Sequence, residues 1–332
     1  MKKVTLLTGF LGSGKTTFLN HFIREQRSER ILVLENEVGQ CNIDGALVES
    51  GVEEVMELTA GCLCCSLHNE LLDALEIVSE RQDQFDRLVI ETTGVADPSS
   101  IVQTFLTDPI VGRFFELEQV ICVVDAGLIE DWLEETEEAL RQIAMADVIL
   151  LNKADTVNSS YLPKLTTQLQ SINPYALIIS GENGSFPITQ VLQTKISDAT
   201  SFETRLAAIV QQQNLANYST TATSGSRHKV NTFTLTFDAP FMLSEGFSIQ
   251  LHRLVNLYRE QVYRIKGILH VHNYPNRVIL QSVRTNCVVS DGSPWGPNES
   301  KTSRLVFIGR GLQKEDFEKA FERFTLKVQY EQ

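Results

Sequence analysis

The stretch from Gly9 to Thr16 constrains the fold of this chain more than any other feature of its sequence. It fits the phosphate-binding loop G-x4-G-K-[ST], with Lys15 and Thr16 in the last two positions. A short β-type run, Val4 to Thr8, precedes the loop, and apolar residues at helical spacing follow it. The sequence therefore predicts a strand, a glycine-rich loop and a helix whose N-terminus meets the phosphates of a nucleotide.

Each residue type in this loop has a chemical reason. Glycines allow backbone N–H groups to turn inward and approach phosphate oxygens. Lys15 is expected to neutralise charge between the β- and γ-phosphates, and the hydroxyl of Thr16 is expected to coordinate Mg²⁺. The residues expected to bind nucleotide here are Gly9, Gly12, Ser13, Gly14, Lys15, Thr16 and Thr17.

A later apolar run, DRLVIETTG, ends in Glu91 and is followed by Gly94. A phosphate-loop protein places at this point the acid that helps to hold Mg²⁺ and the glycine that senses the γ-phosphate. Either Glu91 or an acid in the loop after the second strand, such as Asp44, is expected to orient the attacking water. Together with Lys15 and Thr16, these are the predicted catalytic residues.

The base-recognition motif lies in the fifth predicted strand, DVILLNKAD, which ends in Asn152, Lys153 and Asp155. Guanine presents its N1–H and N2–H₂ donors side by side, and the single carboxylate of Asp155 can accept from both. Adenine would place an acceptor against this carboxylate, so the motif favours GTP over ATP. Asn152 is expected to serve the O6/N7 side of the base, and the stem of Lys153 to cover its face.

The alternation of strands and helices predicts the fold class. Six β-type runs alternate with helical segments in residues 1–210, which predicts an α/β fold: a doubly wound, mainly parallel P-loop NTPase sheet. The polar residues 211–229 are expected to form a linker. Residues 230–332 are predicted to form a smaller α+β domain, in which the segment RVILQSVRTNCVV is one strand of a pair.

Half of the six cysteines lie in the motif Cys62-x-Cys64-Cys65, between the second and third predicted strands. Three interpretations stay open: small buried apolar residues, a redox pair of Cys62 and Cys65, or a metal site. Thiolates suit Zn²⁺ and Cu⁺, and Zn²⁺ takes four ligands. Three thiolates leave one position for a carboxylate, a water or a ligand from a client protein, and Glu37 at the end of a neighbouring strand is a candidate.

Glu37 also begins the loop NEVGQCNIDGAL, which by its position is expected to be the first switch. Cys41 in this loop is a candidate accessory thiol. A metal held between the loop and the cysteine motif would bridge segments that rearrange when the γ-phosphate leaves. The sequence therefore suggests a coupling between nucleotide state and metal affinity.

Several other features have a structural and a functional interpretation. His270 and His272 are two residues apart on a predicted strand, where they form either a metal pair or a structural face. The acidic run EDWLEETEEALRQ is expected to be a solvated helix face. Cys122 is expected in a core strand, and Cys287 has no partner motif.

The composition excludes some classes of protein. The formal net charge of −13 argues against a protein that coats nucleic acid or an anionic membrane, because both need clustered Lys and Arg. The start, MKKVTLLTGFLG, imitates a signal peptide, but its apolar run is too short and is interrupted by glycines. No apolar stretch approaches the length that spans a bilayer. The chain is therefore expected to be cytoplasmic, where clustered cysteines indicate metal binding or catalysis rather than disulfides.

The motifs taken together resemble the CobW family of P-loop GTPases, whose relatives include the nickel-insertion GTPases of hydrogenase and urease maturation. The resemblance spans nearly the whole chain. It implies a GTP-dependent metallochaperone that carries Zn²⁺, or Co²⁺ in cobalamin-linked members, to the apo-form of a client metalloprotein. The stretches that carry it are TGFLGSGKTT, NEVG followed by IDGAL, GCLCC, ETTGVADP, ILLNKAD, YRIKGIL and RLVFIGR.

By the family motif, the candidate metal ligands are Cys62, Cys64, Cys65 and Glu37, and residues 9–17 and 152–155 bind nucleotide. The chain departs from the family where NEVGQ replaces the usual NEFGE, which keeps Glu37 but changes its surroundings. Many members carry a histidine-rich tract, which this chain with its six histidines lacks. The thiolate-rich motif would also accept Co²⁺ or Ni²⁺.

Other functions stay open at this point. One is a regulatory GTPase whose cysteines are structural or redox-sensing, and another is a cobalt-handling GTPase of cobalamin metabolism. A P-loop kinase is a third, although the N-K-A-D motif argues against it. The second domain is expected either to recognise a client or to form a homo-oligomer.

Overall fold

The computed structural model describes residues 1–37, 54–59, 67–192, 230–297 and 299–326, with the backbone alone for residues 36, 37, 54–59 and 67–70. The chain divides into two compact units. Unit 1 comprises Met1–Gln170 and Ala176–Ser197, and unit 2 comprises Ser171–Tyr175 and Asp198–Gln332. The predicted linker, residues 211–229, lies outside the described residues, so its bounds stay a prediction.

Unit 1 is built on a parallel sheet, which confirms the predicted α/β class. Its strands are β1 (Lys2–Thr8), β2 (Ile31–Glu37), β3 (Glu54–Thr59), β4 (Arg87–Thr92), β5 (Phe115–Asp125), β6 (Val148–Asn152) and β7 (Leu177–Ser180). They form one seven-stranded sheet in the order β3-β2-β4-β1-β5-β6-β7, and all neighbours are parallel. Strands β4 and β6 are buried along their whole length, as expected for a sheet covered on both faces.

Helices connect these strands. They are α1 (Lys15–Glu25), α2 (Leu67–Ser79), α3 (Ser99–Thr107), α4 (Val111–Phe114), α5 (Ile129–Glu135), α6 (Glu137–Met145), α7 (Leu162–Ile172) and α8 (Ile188–Leu192). Helix α1 follows the glycine-rich loop as predicted, and it buries Phe18, Leu19, Phe22 and Ile23 on one side. No helix in the described parts of the chain is long and apolar enough to cross a membrane.

Two parts of unit 1 differ from the sequence-based prediction. Strand β3 is absent from that prediction, because EVMELT has neither a strict alternation nor a long apolar run. The acidic run EDWLEETEEALRQ forms two helices, α5 and α6, instead of one. Thr136 between them is extended, and its hydroxyl accepts a hydrogen bond from the Ala139 N–H at 3.4 Å, which caps α6.

Unit 2 has the predicted α+β character. Its described strands are β8 (Val230–Phe237), β9 (Val262–Leu269), β10 (Asn276–Val283), β11 (Asn286–Pro294) and β12 (Ser303–Arg310), and its described helices are α9 (Glu245–Leu257) and α10 (Lys314–Glu322). The strands form an antiparallel sheet in the order β11-β10-β9-β12-β8. Its core is rich in phenylalanine and includes Phe241, Phe307 and Phe317, all fully buried.

The prediction of one strand over RVILQSVRTNCVV is wrong, because the chain reverses in its middle. Val283 of β10 pairs with Asn286 of β11, so only two residues form the turn. Arg284 in this turn has a φ of 51°, a left-handed conformation that arginine seldom adopts. The two turn residues are Arg284 and Thr285, and neither is the Gly or Asn that usually marks such a turn in a sequence.

Candidate functional site

The parallel sheet brings the predicted nucleotide residues to one edge. Strand β1 lies between β4 and β5, with Leu7 opposite Glu91 and Thr8 opposite Cys122. Strand β6 lies beside β5, with Asn152 opposite Asp125. Because the carboxyl ends of parallel strands share an edge, the loops after these strands meet where ligands bind in open α/β sheets.

The phosphate loop has a backbone that only glycine accommodates well. Gly9, Gly12 and Gly14 have φ values of 142°, 73° and 100°. A Cβ on Gly9 would overlap the Val123 carbonyl oxygen, and one on Gly14 would overlap the Asn152 amide. A Cβ on Gly12 would meet no atom within 4 Å, so there is open space on this side of the loop.

Two polar groups of the loop are suited to an anion. The Lys15 ammonium is buried and donates to the carbonyl oxygens of Gly9 at 3.0 Å and Phe10 at 3.4 Å. The Ser13 hydroxyl is also buried, and it has no hydrogen-bond partner within the described residues. The first N–H groups of α1 point out of its N-terminus, towards the loop, because they have no acceptor within the helix. A phosphate would supply an acceptor for the Ser13 hydroxyl and a negative charge beside the Lys15 ammonium.

The predicted Mg²⁺ residues lie together. The Thr16 hydroxyl donates to Glu91 Oε1 at 3.3 Å, across the gap between α1 and the end of β4. The neighbouring Thr92 hydroxyl donates to the Thr8 hydroxyl at 3.0 Å, which ties β4 to β1 at the same level. A hydroxyl and a carboxylate at this spacing are oxygen ligands that fit Mg²⁺.

The base-recognition motif is linked to its surroundings through Asn152. Its side-chain Nδ2 donates to the Ser13 carbonyl at 2.9 Å, and its Oδ1 accepts from the Gly184 N–H at 3.0 Å. The Asn152 amide therefore joins the phosphate loop to the loop after β7. Asp155 is exposed in a short 3₁₀ turn, 154–156, whose first N–H donates to the Gly181 carbonyl at 3.1 Å.

Asp125 belongs to the site although the sequence did not assign it a role. Its carboxylate accepts from the Lys153 ammonium at 2.7 Å and from the Gly127 N–H at 2.9 Å. The same ammonium donates to the Gly12 carbonyl at 2.8 Å. Lys153 therefore fastens the base motif to the phosphate loop, in addition to the predicted cover of the base. Its position at the end of a predicted strand is the sequence feature that could have indicated a role in the site.

Helix α6 holds the segment that follows Glu91. The Gln142 side-chain Nε2 donates to the carbonyl oxygens of Gly94 and Ala96, both at 3.1 Å. Arg141 Nη1 donates to Asp97 Oδ2 at 2.9 Å. No sequence pattern indicated these contacts, since Gln142 and Gly94 are 48 positions apart and the acidic run around α6 suggested only a solvated face.

The predicted metal ligands are placed only in part. Glu37 is the last residue of β2, and its backbone pairs with Thr59, the last residue of β3. Five other candidate residues lie outside the described residues: Cys41, Asp44, Cys62, Cys64 and Cys65. Their roles stay predictions.

Of the other two cysteines, Cys122 is a core residue and Cys287 is partly buried against the core of unit 2. Cys122 lies in β5 with 1% exposure, and burial raises the pKa of its thiol to about 12. Burial also raises the pKa of the Cys287 thiol to about 12. Both are therefore protonated and poor metal ligands. Within the described residues, no group of three or more His, Cys, Asp or Glu side chains is arranged to hold a metal ion.

His270 and His272 do not share a strand as predicted, because β9 ends at Leu269. The His270 ring is partly buried and packs edge-on against Trp295, with ring centroids 5.8 Å apart. Burial, with the charge of Lys301, lowers the pKa of His270. His272 is exposed. This arrangement favours the structural interpretation of the pair.

Two family models match the chain. The model described as the CobW/HypB/UreG nucleotide-binding domain matches residues 3–180. The model described as the cobalamin synthesis protein cobW C-terminal domain matches residues 230–325. The phosphate loop, the acid at the end of β4 and the motif at the end of β6 all lie within the first match.

Individual relatives extend the similarity to the full length. The zinc chaperone YjiA of Escherichia coli is 34% identical over 326 residues, which cover 96% of this chain and 97% of that protein. The zinc-regulated GTPase metalloprotein activator 1 of Schizosaccharomyces pombe is 32% identical over a stretch that covers 80% of this chain and 72% of that protein. A crystal structure of Zn(II)-bound YjiA GTPase from E. coli matches with a TM-score of 0.65 and 29% identity. The match covers 98% of this chain and 99% of the chain in that structure.

Proposed function

This chain belongs to the CobW family of P-loop GTPases, and on that premise we propose that its GTP cycle controls a Zn²⁺ site, from which the metal passes to a client protein. In this proposal, GTP binds at the edge of unit 1 described above. The proposed Zn²⁺ ligands are Cys62, Cys64, Cys65 and Glu37. The client is the apo-form of a metalloprotein.

The register of β2 against its two neighbours is the observation that carries the proposal. Glu37 pairs with Thr59 of β3, and Glu35, two residues earlier, pairs with Glu91 of β4. Cys62 follows Thr59 by three residues, a length of chain that reaches at most about 11 Å. Glu37 and Thr59, from which the chain continues to the cysteine motif, therefore lie at the same edge of the sheet, beside the strand that ends in the predicted Mg²⁺ acid, and this supports a metal site that includes Glu37.

The nucleotide residues have distinct tasks in this proposal. Lys15 exchanges its bonds to the loop carbonyls for phosphate oxygens, and the Ser13 hydroxyl gains an acceptor. Thr16 and Glu91 would hold Mg²⁺, which supplies positive charge at the β- and γ-phosphate oxygens. Asp155 accepts from the guanine N1–H and N2–H₂. Glu91 or Asp44 orients the attacking water.

Metal release would follow from the position of Glu37. This residue is a candidate ligand, and it also starts the loop expected to respond to the γ-phosphate. A change in that loop alters the fourth ligand of a site whose other three ligands are thiolates. A site with one exchangeable ligand suits transfer, whereas a structural zinc site is closed. Co²⁺ and Ni²⁺ are alternative cargoes because thiolates bind them as well.

The experiment that tests the proposal is a competition titration of Zn²⁺ against a chromophoric chelator. It is run on the full chain without nucleotide, with Mg·GDP and with a non-hydrolysable Mg·GTP analogue. We expect one tight site whose affinity differs about tenfold, or ~1.4 kcal/mol, between the two nucleotides. Cys64→Ser should remove the site.

Cys287→Ser is the matched control, because it removes a cysteine outside the motif. It should leave zinc binding unchanged. If the wild type has no zinc site that depends on Cys64, the chaperone function is ruled out and the regulatory GTPase is favoured. A tight, Cys64-dependent site that ignores the nucleotide would assign the cysteines to stability and would contradict nucleotide-controlled transfer.

A further inference from the structure

We propose that Gln142 is a positioning residue for GTP hydrolysis. It holds the segment Gly94–Asp97 against the phosphate loop, so that Gly94 is in place for the γ-phosphate before GTP binds. The inference rests on the nucleotide site of the proposed function, but it does not depend on zinc.

The hydrogen bonds of Gln142 are its first support. The side chain is 2% exposed, and a buried amide is destabilising unless its polar atoms are paired. The Nε2 group has two hydrogens, and it donates to two carbonyls, those of Gly94 and Ala96, at 3.1 Å each. The Ala96 N–H in turn donates to the Thr93 carbonyl at 3.1 Å. The donor capacity of the amide is therefore directed to one short turn.

The position of Gly94 is the second support. A Cβ at this residue would lie 2.5 Å from the backbone nitrogen of Leu11 and 2.7 Å from its Cα. Gly94 is thus in direct contact with the phosphate loop on one side, while Gln142 holds its carbonyl on the other. A backbone group fixed in this way needs no reorganisation when the γ-phosphate arrives, which lowers the barrier to reaction.

The far end of the segment is fixed as well. Asp97 accepts from Arg141 Nη1 at 2.9 Å and from the Ser99 N–H at 2.9 Å, where α3 begins. Arg141 is held in turn by Glu137, one turn earlier on α6, at 3.1 Å. Helix α6 leads directly into β6, which ends in the base motif. One helix therefore connects the γ-phosphate segment with the strand that recognises guanine.

The first test is Gln142→Met, which keeps the length of the side chain and removes both donors. We expect kcat for GTP to fall about tenfold, because Gly94 is no longer held in place. The Kd for Mg·GDP should stay within about twofold, because GDP has no γ-phosphate to meet Gly94. Gln103→Met is the matched control: it makes the same change on α3, away from the held segment, and should alter neither quantity.

A second variant, Gln142→Glu, tests the role through the pH dependence of kcat, which should not change if Gln142 has only a structural role. Its ionised carboxylate has no donor for the two carbonyls, whereas its protonated form has one. Burial raises the pKa of a carboxyl group, so protonation at mildly acidic pH is expected. Relative to wild type, kcat of this variant should therefore rise as the pH falls from about 8 to about 6, while Gln142→Met shows no such recovery.

Asp97→Asn keeps the test decisive if the Gln142 variants fail to fold. It removes the ion pair with Arg141 at a partly exposed position, and its amide oxygen still accepts from the Ser99 N–H. We expect about a threefold loss of kcat with unchanged GDP affinity.

The outcomes separate this inference from the proposed function. Normal kcat in Gln142→Met would overturn the positioning role, and so would normal kcat in Asp97→Asn if the Gln142 variants do not fold. Parallel losses of kcat and GDP affinity would also overturn it, since they would indicate a general distortion of the site. Wild-type protein without GTP turnover would instead overturn the proposed function, and this inference with it.

Discussion

At the scale of single residues, the candidate nucleotide site is held by polar side chains that bind one another. Asn152 joins the Ser13 carbonyl to the Gly184 N–H, and Lys153 joins the Gly12 carbonyl to Asp125. Asp155 differs from these residues, because its side chain is exposed and outside this network. It is therefore the residue that can be changed with least disturbance of the loops.

Asp155→Asn should exchange the preferred base. Guanine offers two donors to this position, whereas xanthine offers the N1–H donor beside the O2 acceptor. The asparagine amide can accept from the first and donate to the second. We expect the affinity for Mg·GDP to fall at least tenfold, or ~1.4 kcal/mol, and the affinity for Mg·XDP to rise.

Fluorescence titration with both nucleotides measures this exchange. Asp131→Asn, on the exposed side of α5, is the matched control and should bind both nucleotides as the wild type does. Unchanged preference for GDP in Asp155→Asn would show that Asp155 does not contact the base.

Single residues also show which parts of the site a sequence can reveal. Lys15, Thr16 and Asp155 were identified as candidates because their proposed roles depend on a local motif of a few residues. Gln142 was not, because its partners lie 46 and 48 positions away and a glutamine in an acidic helix has no distinctive pattern. The metal ligands have a local motif too, but their geometry lies outside the described residues.

At the scale of elements, the amino end of β4 contains a buried ion pair that is remote from the nucleotide edge. Arg87 is 2% exposed and donates to Glu118 at 2.6 Å, to Glu29 at 2.7 Å and to the Thr5 hydroxyl at 3.0 Å. Glu118 also lies 3.8 Å from Lys3. These contacts join β4 to β1 and to the start of β5.

Arg87→Met should lower the free energy of unfolding by about 3 kcal/mol, because it leaves a buried carboxylate without its main partner. Urea unfolding measures the loss. The matched control is Arg30→Met, which breaks the exposed pair with Asp86 and should cost less than about 1 kcal/mol. Equal effects of the two changes would contradict a special role for the buried pair. GTP turnover per folded molecule should be unchanged in both.

Elements were predictable where their pattern was local. The strands β1, β4, β5 and β6 have apolar runs that end at turn or motif residues, and the sequence predicted each of them. The reversal at Arg284 was missed because the turn contains neither glycine nor asparagine. The β3 strand was missed because its pairing with β2, rather than its own pattern, stabilises it.

At the scale of the whole molecule, the proposed function makes GTP and zinc two ligands of one protein, and in that case their effects on each other must be reciprocal. If the Mg·GTP analogue changes zinc affinity about tenfold relative to Mg·GDP, zinc must change the ratio of the two nucleotide affinities by the same factor. Nucleotide titrations with and without saturating zinc measure this ratio. Cys64→Ser should abolish the difference, and a zinc-independent ratio in the wild type would contradict the coupling.

The place of β1 in the sheet has a consequence for biosynthesis. β1 is the central strand, yet its two neighbours are made much later: β4 begins at Arg87, about 80 residues after β1 ends. At translation rates of about 5–20 residues per second, this distance takes roughly 4 to 16 s. During that interval the nascent chain exposes an apolar strand that has neither of its partners. Because Gly9 packs against Val123 of β5, the phosphate loop is expected to acquire its shape, and with it the capacity to bind nucleotide, only after β5 has emerged from the ribosome.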